Sequence, residues 1–320
     1  MNKIKNILQT HFDIICTDIS KINIGLSVAV NYKVKTDDKA FFLKVYDKNK
    51  AQFSLWTENI NTYIPILTWL NGNTNLQRKI VRPIKTNTGD FLFENEESII
   101  LLFDYIDGEP VTKNSFTDLQ ILEIAEIMAC LHSYDSNIPV STDKIKEDFS
   151  VPFCISLENF IVNEYQKSPA DIKTILQPYL NRLTAKNNEL ISLADTIKQK
   201  DNNMALCHTD AHYKNFMQNG HHLILVDWEG LKLAPAEADL FMFTQKAYWN
   251  IFIEHYNKLR PDFVLDNEML SFYVLRRKID DIWAFIESIL YDNLSDKQRK
   301  RDLAFLLDSC SRLDDLNFEL

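Results

Sequence analysis

The stretch His208-Thr209-Asp210-Ala211-His212-Tyr213-Lys214-Asn215, followed by Val226-Asp227-Trp228-Glu229, decides how this chain is read. Each segment comes after or at the end of a short apolar run, Met204–Cys207 and Leu223–Val226, so each reads as a loop at the end of a strand. The spacing is H-x-D-x-x-x-x-N and then hydrophobic-D-x-E. Phosphoryl transfer needs few protein parts. A carboxylate must meet the acceptor hydroxyl, a carboxylate and an amide oxygen must hold a metal ion against the phosphates, and a lysine must neutralise phosphate charge. Mg2+ prefers such hard oxygen ligands. On that chemistry Asp210 accepts or orients the acceptor's hydroxyl proton. Asn215 folds back to the metal, Asp227 is the main Mg2+ ligand, and His208 supports the loop by hydrogen bonding.

Working outward, the lysine is found on the N-terminal side. Ala40-Phe41-Phe42-Leu43-Lys44-Val45-Tyr46 is a run of strand formers carrying one cation, Lys44, placed to reach the α- and β-phosphates. Val28–Val34 and Ser98–Tyr105 read as further strands, and Thr88-Gly89-Asp90 as a hairpin turn between Ile84 and Phe91–Phe93. A helical stretch lies between them, from Ala51 to Leu70, with Pro65 expected to break it or to start a second helix. Asp107-Gly108-Glu109-Pro110 reads as a hinge. Beyond it the period changes to that of helices: Thr117–Tyr134, Asp171–Lys200, Glu237–Asn257, Asn267–Tyr291 and Asp296–Leu316. The expected class is α+β, with a strand-rich nucleotide-binding lobe over 1–104 and a helical lobe over 105–320.

Composition removes other classes. There are six glycines in 320 residues, and no two are spaced as G-x-G-x-x-G or G-x-x-x-x-G-K, so a dinucleotide fingerprint and a P-loop are absent. A net charge of −10 disfavours a sequence-blind grip on nucleic acid and suits a cationic small ligand. Five scattered cysteines without a C-x-x-C pair argue for reduced thiols in a cytoplasmic protein, with no zinc site. Met1–Leu8 lacks a continuous apolar segment and no run approaches membrane-spanning length, so neither a signal peptide nor a membrane partner is expected.

The two loops resemble those of the aminoglycoside phosphotransferase and choline kinase group, a branch of the protein-kinase-like fold. That group writes its catalytic loop H-G-D-x-H-x-x-N, with Thr209 standing here for the glycine, and its metal loop I-D-W-E or I-D-F-E. Its following structural aspartate matches Asp239 in Ala234-Pro235-Ala236-Glu237-Ala238-Asp239-Leu240. Within the group, Leu233-Ala234-Pro235 with Asp239-Leu240 and the run Leu270–Ile282 look like spectinomycin phosphotransferase-like proteins. The resemblance implies a bilobal fold and a kinase that uses ATP (or GTP) and Mg2+ on a hydroxyl of a small molecule. The acceptor would be an aminocyclitol antibiotic such as spectinomycin, or alternatively a choline-, homoserine- or sugar-type metabolite.

It also implies a nucleotide loop at Ile24-Gly25-Leu26-Ser27, where Gly25 and Ser27 would touch phosphate in place of a glycine-rich G-G-x-S-N. Adenine would lie against the linker Phe103–Ile106, through Asp104 and Ile106. An acid would pair Lys44; Glu58 is the one acid in Ala51–Leu70, although the family spacing points nearer Asn61 or Thr62. Asp280 and Asp281 are either acceptor-binding acids or i,i+4 partners of Arg276 and Arg277. The thinned glycine loop leaves a nucleotide-binding pseudokinase as the other reading. A peptide-kinase reading ranks lower, because the segment Ser150–Lys200 suggests a lid for a small substrate.

Overall fold

The computed structural model describes residues 2–22, 29–50, 53–112 and 116–314, without the side chain of Leu55. In chain order the strands are β1 (Asp18–Ile22), β2 (Val30–Lys35), β3 (Ala40–Asp47), β4 (Phe93–Glu94), β5 (Ser98–Asp104), β6 (Glu109–Pro110), β7 (Ala205–Cys207), β8 (Phe216–Asn219), β9 (His222–Leu225) and β10 (Lys232–Ala234). The helices are α1 (Asn2–Phe12), α2 (Phe53–Thr57), α3 (Ile60–Asn73), α4 (Asp118–Leu131), α5 (Pro152–Asn159), α6 (Ala170–Leu176), α7 (Leu180–Lys198), α8 (Glu237–Thr244), α9 (Trp249–Leu259), α10 (Asn267–Tyr291) and α11 (Asp296–Ser311). Two compact units result. One comprises Met1–Lys146, Met204–Asp239 and Tyr248–Asp262; the other comprises Glu147–Asn203, Leu240–Ala247 and Phe263–Leu320.

The first unit holds an antiparallel sheet in the order β1-β2-β3-β5-β4. Alternation along β3 sends Phe41 and Leu43 to one face. There they meet Val34, Ile100 and Leu102, together with Leu8 and Phe12 of α1, in a buried cluster. Lys44 and Tyr46 point to the other face, with Lys44 paired in register to Leu101. The expected turn forms at Gly89 (φ +92), with Thr86 and Asp90 joined across it. Only its second arm becomes a strand; Ile84 reaches Leu102 by a single bond, and Pro83 makes an isolated bridge to Phe103.

Proline does not act where expected in α3. The break falls at Glu58-Asn59, and the helix runs from Ile60 through Pro65. The carbonyl that Pro65 leaves unbonded belongs to Asn61, an exposed residue, so water can satisfy it. The buried face formed by Ile60, Tyr63, Ile64, Leu67 and Leu70 holds the helix together across the gap. Two short sheets follow: β6-β8-β9 and β10-β7. Gly108, at the expected hinge, lies so close to the β8 backbone that a Cβ there would stand 2.1 Å from the Gln218 carbonyl oxygen.

The second unit is helical. Pro178 divides the expected Asp171–Lys200 helix into α6 and α7, and the expected Glu237–Asn257 helix divides into α8, shared between the units, and α9, which belongs to the first. α10 has the expected bounds. Asp266 caps it by accepting from the Glu268 and Met269 amides, and eleven of its residues are buried. Ser295 and Gln298 form a capping box at α11. No described helix is long and apolar enough to cross a membrane.

Candidate active site

The two chemistry-bearing loops are stitched to each other within the first unit. His208 Nε2 donates to the Val226 carbonyl at 2.9 Å, and the Val226 amide donates to the Asn215 carbonyl at 2.9 Å. The tautomer of His208 follows: with Nε2 protonated, Nδ1 is free to accept from the Asp210 amide at 3.3 Å. His208 is fully buried beside the Trp228 ring, which fits the support role expected of it.

Asp239 is the node beneath the loop His208–Asn215. Its carboxylate is fully buried and accepts from the His208 amide at 2.8 Å, the Thr209 amide at 2.5 Å and His132 Nε2 at 3.0 Å. Tyr256 donates to His132 Nδ1 at 2.8 Å, fixing that ring in turn. His132, Cys207 and Asp239 lie close enough to share an ion, but these backbone and imidazole donors already occupy the Asp239 carboxylate. Cys207 is buried, with its thiol against the Ala234 and Pro235 carbonyls, as packing requires.

Thr209 takes φ +64, the left-handed region in which a β-branched residue is an outlier. Its amide is held by Asp239, and its hydroxyl donates to the Gly230 carbonyl at 2.7 Å. Gly230 has no room for a side chain: a Cβ would stand 2.7 Å from Thr209 Oγ1 and 3.1 Å from the His208 carbonyl oxygen. Asp227 is also left-handed, at φ +70. Strained conformations of this kind persist where surrounding bonds over-determine them.

Asn215 donates through Nδ2 to both the carbonyl and Oδ2 of Asp210, at 2.8 and 3.0 Å, which turns its amide oxygen away from that carboxylate. His212 Nε2 lies 3.5 Å from Asp210 Oδ2. Lys44 donates to Asp227 Oδ1 at 2.7 Å and to Glu229 Oε1, and Tyr46 donates to the same Glu229 oxygen at 2.5 Å. Burial alone would lower the Lys44 pKa; the charges of Glu229 and Asp227 outweigh it and raise the pKa above the ordinary lysine value. The Lys44 ammonium holds Asp227 well below the usual carboxylate range, against the opposing effect of burial. Burial and then the Glu229 charge push the Tyr46 phenol up, and the same two causes act on Tyr63.

Lys44, Asp210, Asn215 and Asp227 thus occupy one constellation. Glu58 is exposed on the turn after α2, and its carboxylate accepts from Asn59; the structure pairs Lys44 with Asp227 and Glu229 instead. Glu229, Tyr46, His212 and His132 are the groups that sequence reasoning did not assign. Glu229 and His212 stand in the quoted loops, but nothing local says what they touch. Gly25 and Ser27 lie outside the described residues. On the linker, the Asp104 amide donates to the Arg82 carbonyl, and the Asp104 carboxylate accepts from Arg82 Nε at 2.6 Å.

The sequence matches the phosphotransferase enzyme family over residues 18–264. The chain belongs to that family. It is a phosphotransferase enzyme. No curated protein sequence matches it significantly. Among solved structures, a spectinomycin phosphotransferase in complex with ADP and spectinomycin is similar at a TM-score of 0.72, with 19% identity over 98% of each chain. A microcompartment-associated aminopropanol kinase matches at a TM-score of 0.68, with 14% identity over 100% of this chain and 99% of that one. A choline kinase from Streptococcus pneumoniae matches at 0.61, with 16% identity over 96% and 98%. At these identities the likeness is one of fold, and the fold is the α+β protein-kinase-like one that the loops implied.

In the second unit, Asp281 pairs with Arg277 on α10 at 3.1 Å, and Arg276 pairs with Glu147 at 2.9 Å. Asp280 makes no ion pair among the described residues. Desolvation by its surroundings, followed by the like charge of Asp281, raises its carboxyl above the ordinary value, although the side chain keeps access to solvent. A quaternary ammonium would need a cage of free aromatic faces, but the helix aromatics pack on other rings: Tyr248 on Phe116 and Trp249 on Phe252 in the first unit, and Trp283 on Phe160 and Phe285 on Phe305 in the second.

Proposed function

We propose that this phosphotransferase moves the terminal phosphoryl group of ATP (or GTP) to a hydroxyl of a small polar, cationic acceptor, with Mg2+ as the metal. The observation that carries the reading is the constellation of Lys44, Asp210, Asn215 and Asp227, held by His208 and Asp239 on two stitched loops. Asp210 accepts or orients the acceptor's proton, with Asn215 fixing its carboxylate. The Asp227 carboxylate and the outward-turned amide oxygen of Asn215 form a hard-oxygen donor set that fits Mg2+, and these two residues would hold it. Bound there, the ion would neutralise charge on the phosphates. Lys44 binds the phosphates, oriented by Glu229. Gly25 and Ser27 complete the phosphate contacts, and the backbone of Asp104–Ile106 meets the base. In this reading residues 1–104 form the nucleotide lobe and 105–320 the lobe of catalysis and acceptor binding.

Asp280 is the acid assigned to the acceptor, because Arg277 already neutralises Asp281. The ring-packed aromatics favour an amino-sugar or aminocyclitol such as spectinomycin over choline; with such an acceptor the protein would be a cytoplasmic resistance enzyme. Homoserine- and sugar-type metabolites stand as the alternative.

Nucleotide turnover measured against spectinomycin, aminoglycosides, choline, homoserine and methylthioribose, with and without Mg2+, tests this. We expect Mg2+-dependent turnover with one cationic acceptor class. Asp210→Ala should lower kcat by about 10²-fold or more while leaving nucleotide affinity nearly intact. Nucleotide binding without turnover across the panel would point to a pseudokinase, and loss of nucleotide binding in Asp210→Ala would show its role to be misassigned.

A further inference from the structure

Within the first unit, a cleft of about 790 Å3 opens at the linker, lined by Arg78, Lys79, Arg82, Asp104, His222 and Ile224 among others. It is not the Lys44 site. Asp104 pairs in register with Phe41, on the face of the sheet that carries Leu43 and Leu102, whereas Lys44 pairs with Leu101 on the opposite face. The volume is in the range of small-molecule pockets, roughly 300–1,000 Å3.

Its charge runs against that of the chain. The molecule carries −10 overall, yet three cations within five residues, together with His222, meet in this lining. The single carboxylate there, Asp104, is already matched by Arg82 at 2.6 Å. Lys79 and His222 have acidic partners in Glu126 and Glu123, at 2.8 and 3.2 Å, but neither glutamate lines the cleft. Arg78 is exposed and has no carboxylate partner among the described residues, so its guanidinium is free to meet a ligand. Ile80, Val81 and Ile224 add apolar lining. Cations beside apolar lining select an anion with a compact carbon body. Arginine forks favour clustered oxyanions, which they bind in bidentate fashion.

We propose that this cleft is a second ligand site, taking a small polyanion, a phosphate ester or a polycarboxylate, on Arg78, Lys79 and Arg82. The assignment goes beyond the kinase reading; the cleft shares the linker Asp104–Ile106 with the segment proposed for the base, and the Lys44 variant below tells the two sites apart.

Calorimetric titration of the full chain at fixed ionic strength tests it, with inorganic pyrophosphate as the phosphate probe and citrate as the carboxylate probe. Arg78 has φ +66, a conformation that asparagine tolerates, so Arg78→Asn removes the charge without disturbing the turn, and Arg78→Glu reverses it. We expect a binding component that weakens about tenfold or more in both Arg78 variants, as loss of a charge-assisted contact requires, and that persists in Lys44→Ala. The stronger of the two probes tells phosphate from carboxylate ligands. If no such component appears, because neither probe binds or because all binding survives the Arg78 variants, the proposal fails.

Discussion

At the residue scale, Thr209 and Gly230 form a lock-and-key pair. The left-handed backbone at Thr209 costs about 1–3 kcal/mol, and the hydroxyl bond to Gly230 returns about 1 kcal/mol of it. Thr209→Gly, which restores the residue usual at that place in the family, should therefore be neutral or stabilising by up to about 2 kcal/mol in chemical denaturation. Thr209→Val keeps the strain and loses the bond, so it should cost more. Gly230→Ala drives its methyl into Thr209 Oγ1 and should be destabilising, with much of the cost relieved in the Thr209→Gly background, where that oxygen is gone. A double-mutant cycle with no coupling would contradict this. Glu229 is the second residue-scale case. It orients Lys44 and is itself fixed by Tyr46. Glu229→Gln keeps the shape and removes the charge; we expect the nucleotide KM to rise about tenfold, with Tyr46→Phe smaller and in the same direction. That Asp210, Asn215 and Asp227 come together was legible because their spacing is local. The partner of Lys44 was not, because it comes from 185 positions away along the chain and from outside the helix where an acid was sought.

At the scale of elements, legibility follows from how strongly a local rule competes with packing. α10 was readable from end to end because its period, its Asp266 cap and its buried stripe all agree. Pro178 divided a helix as its geometry demands, while Pro65 was overridden because the freed carbonyl belongs to an exposed residue, Asn61, and the helix buries a broad apolar face. The break between α8 and α9 had no signal, for Gln245-Lys246-Ala247 contains neither proline nor glycine. Gly108 is the element-scale test. β6 pairs with β8 through Glu109 and Gln218, and the approach at Gly108 leaves no space for a methyl. Gly108→Ala should push β6 off β8 and cost about 2 kcal/mol or more by denaturant titration, because rigid backbone stands in the way. The same substitution at Gly72, which has open space around its Cβ position within α3, should be neutral or stabilising, by about 1 kcal/mol at most. Equal effects at the two glycines would show that the close approach at Gly108 is not what matters.

At the scale of the whole molecule, the chain passes between its two units five times, and α8 contributes Glu237–Asp239 to one unit and its remainder to the other. Neither unit is a continuous segment, so neither can complete its core before distant stretches of chain arrive. Unfolding should therefore be cooperative across both units. The thiols can report it. Cys207 is buried in the first unit, and Cys154 and Cys310 are buried in the second. Desolvation, with the charge of Asp280 added at Cys154, pushes the Cys154 and Cys310 thiols up to about 12, so in the folded protein almost no thiolate is present to react. Alkylation then requires opening, and a ligand that binds only the folded state slows it by the factor 1 + [L]/Kd. Lys44, Asp210, Asn215 and Asp227 all belong to the first unit. If the units unfold as one, Mg2+ with nucleotide protects Cys154 and Cys310 as much as Cys207. Protection confined to Cys207 would instead show that the second unit opens by itself, and that this interleaving of the chain does not enforce cooperativity.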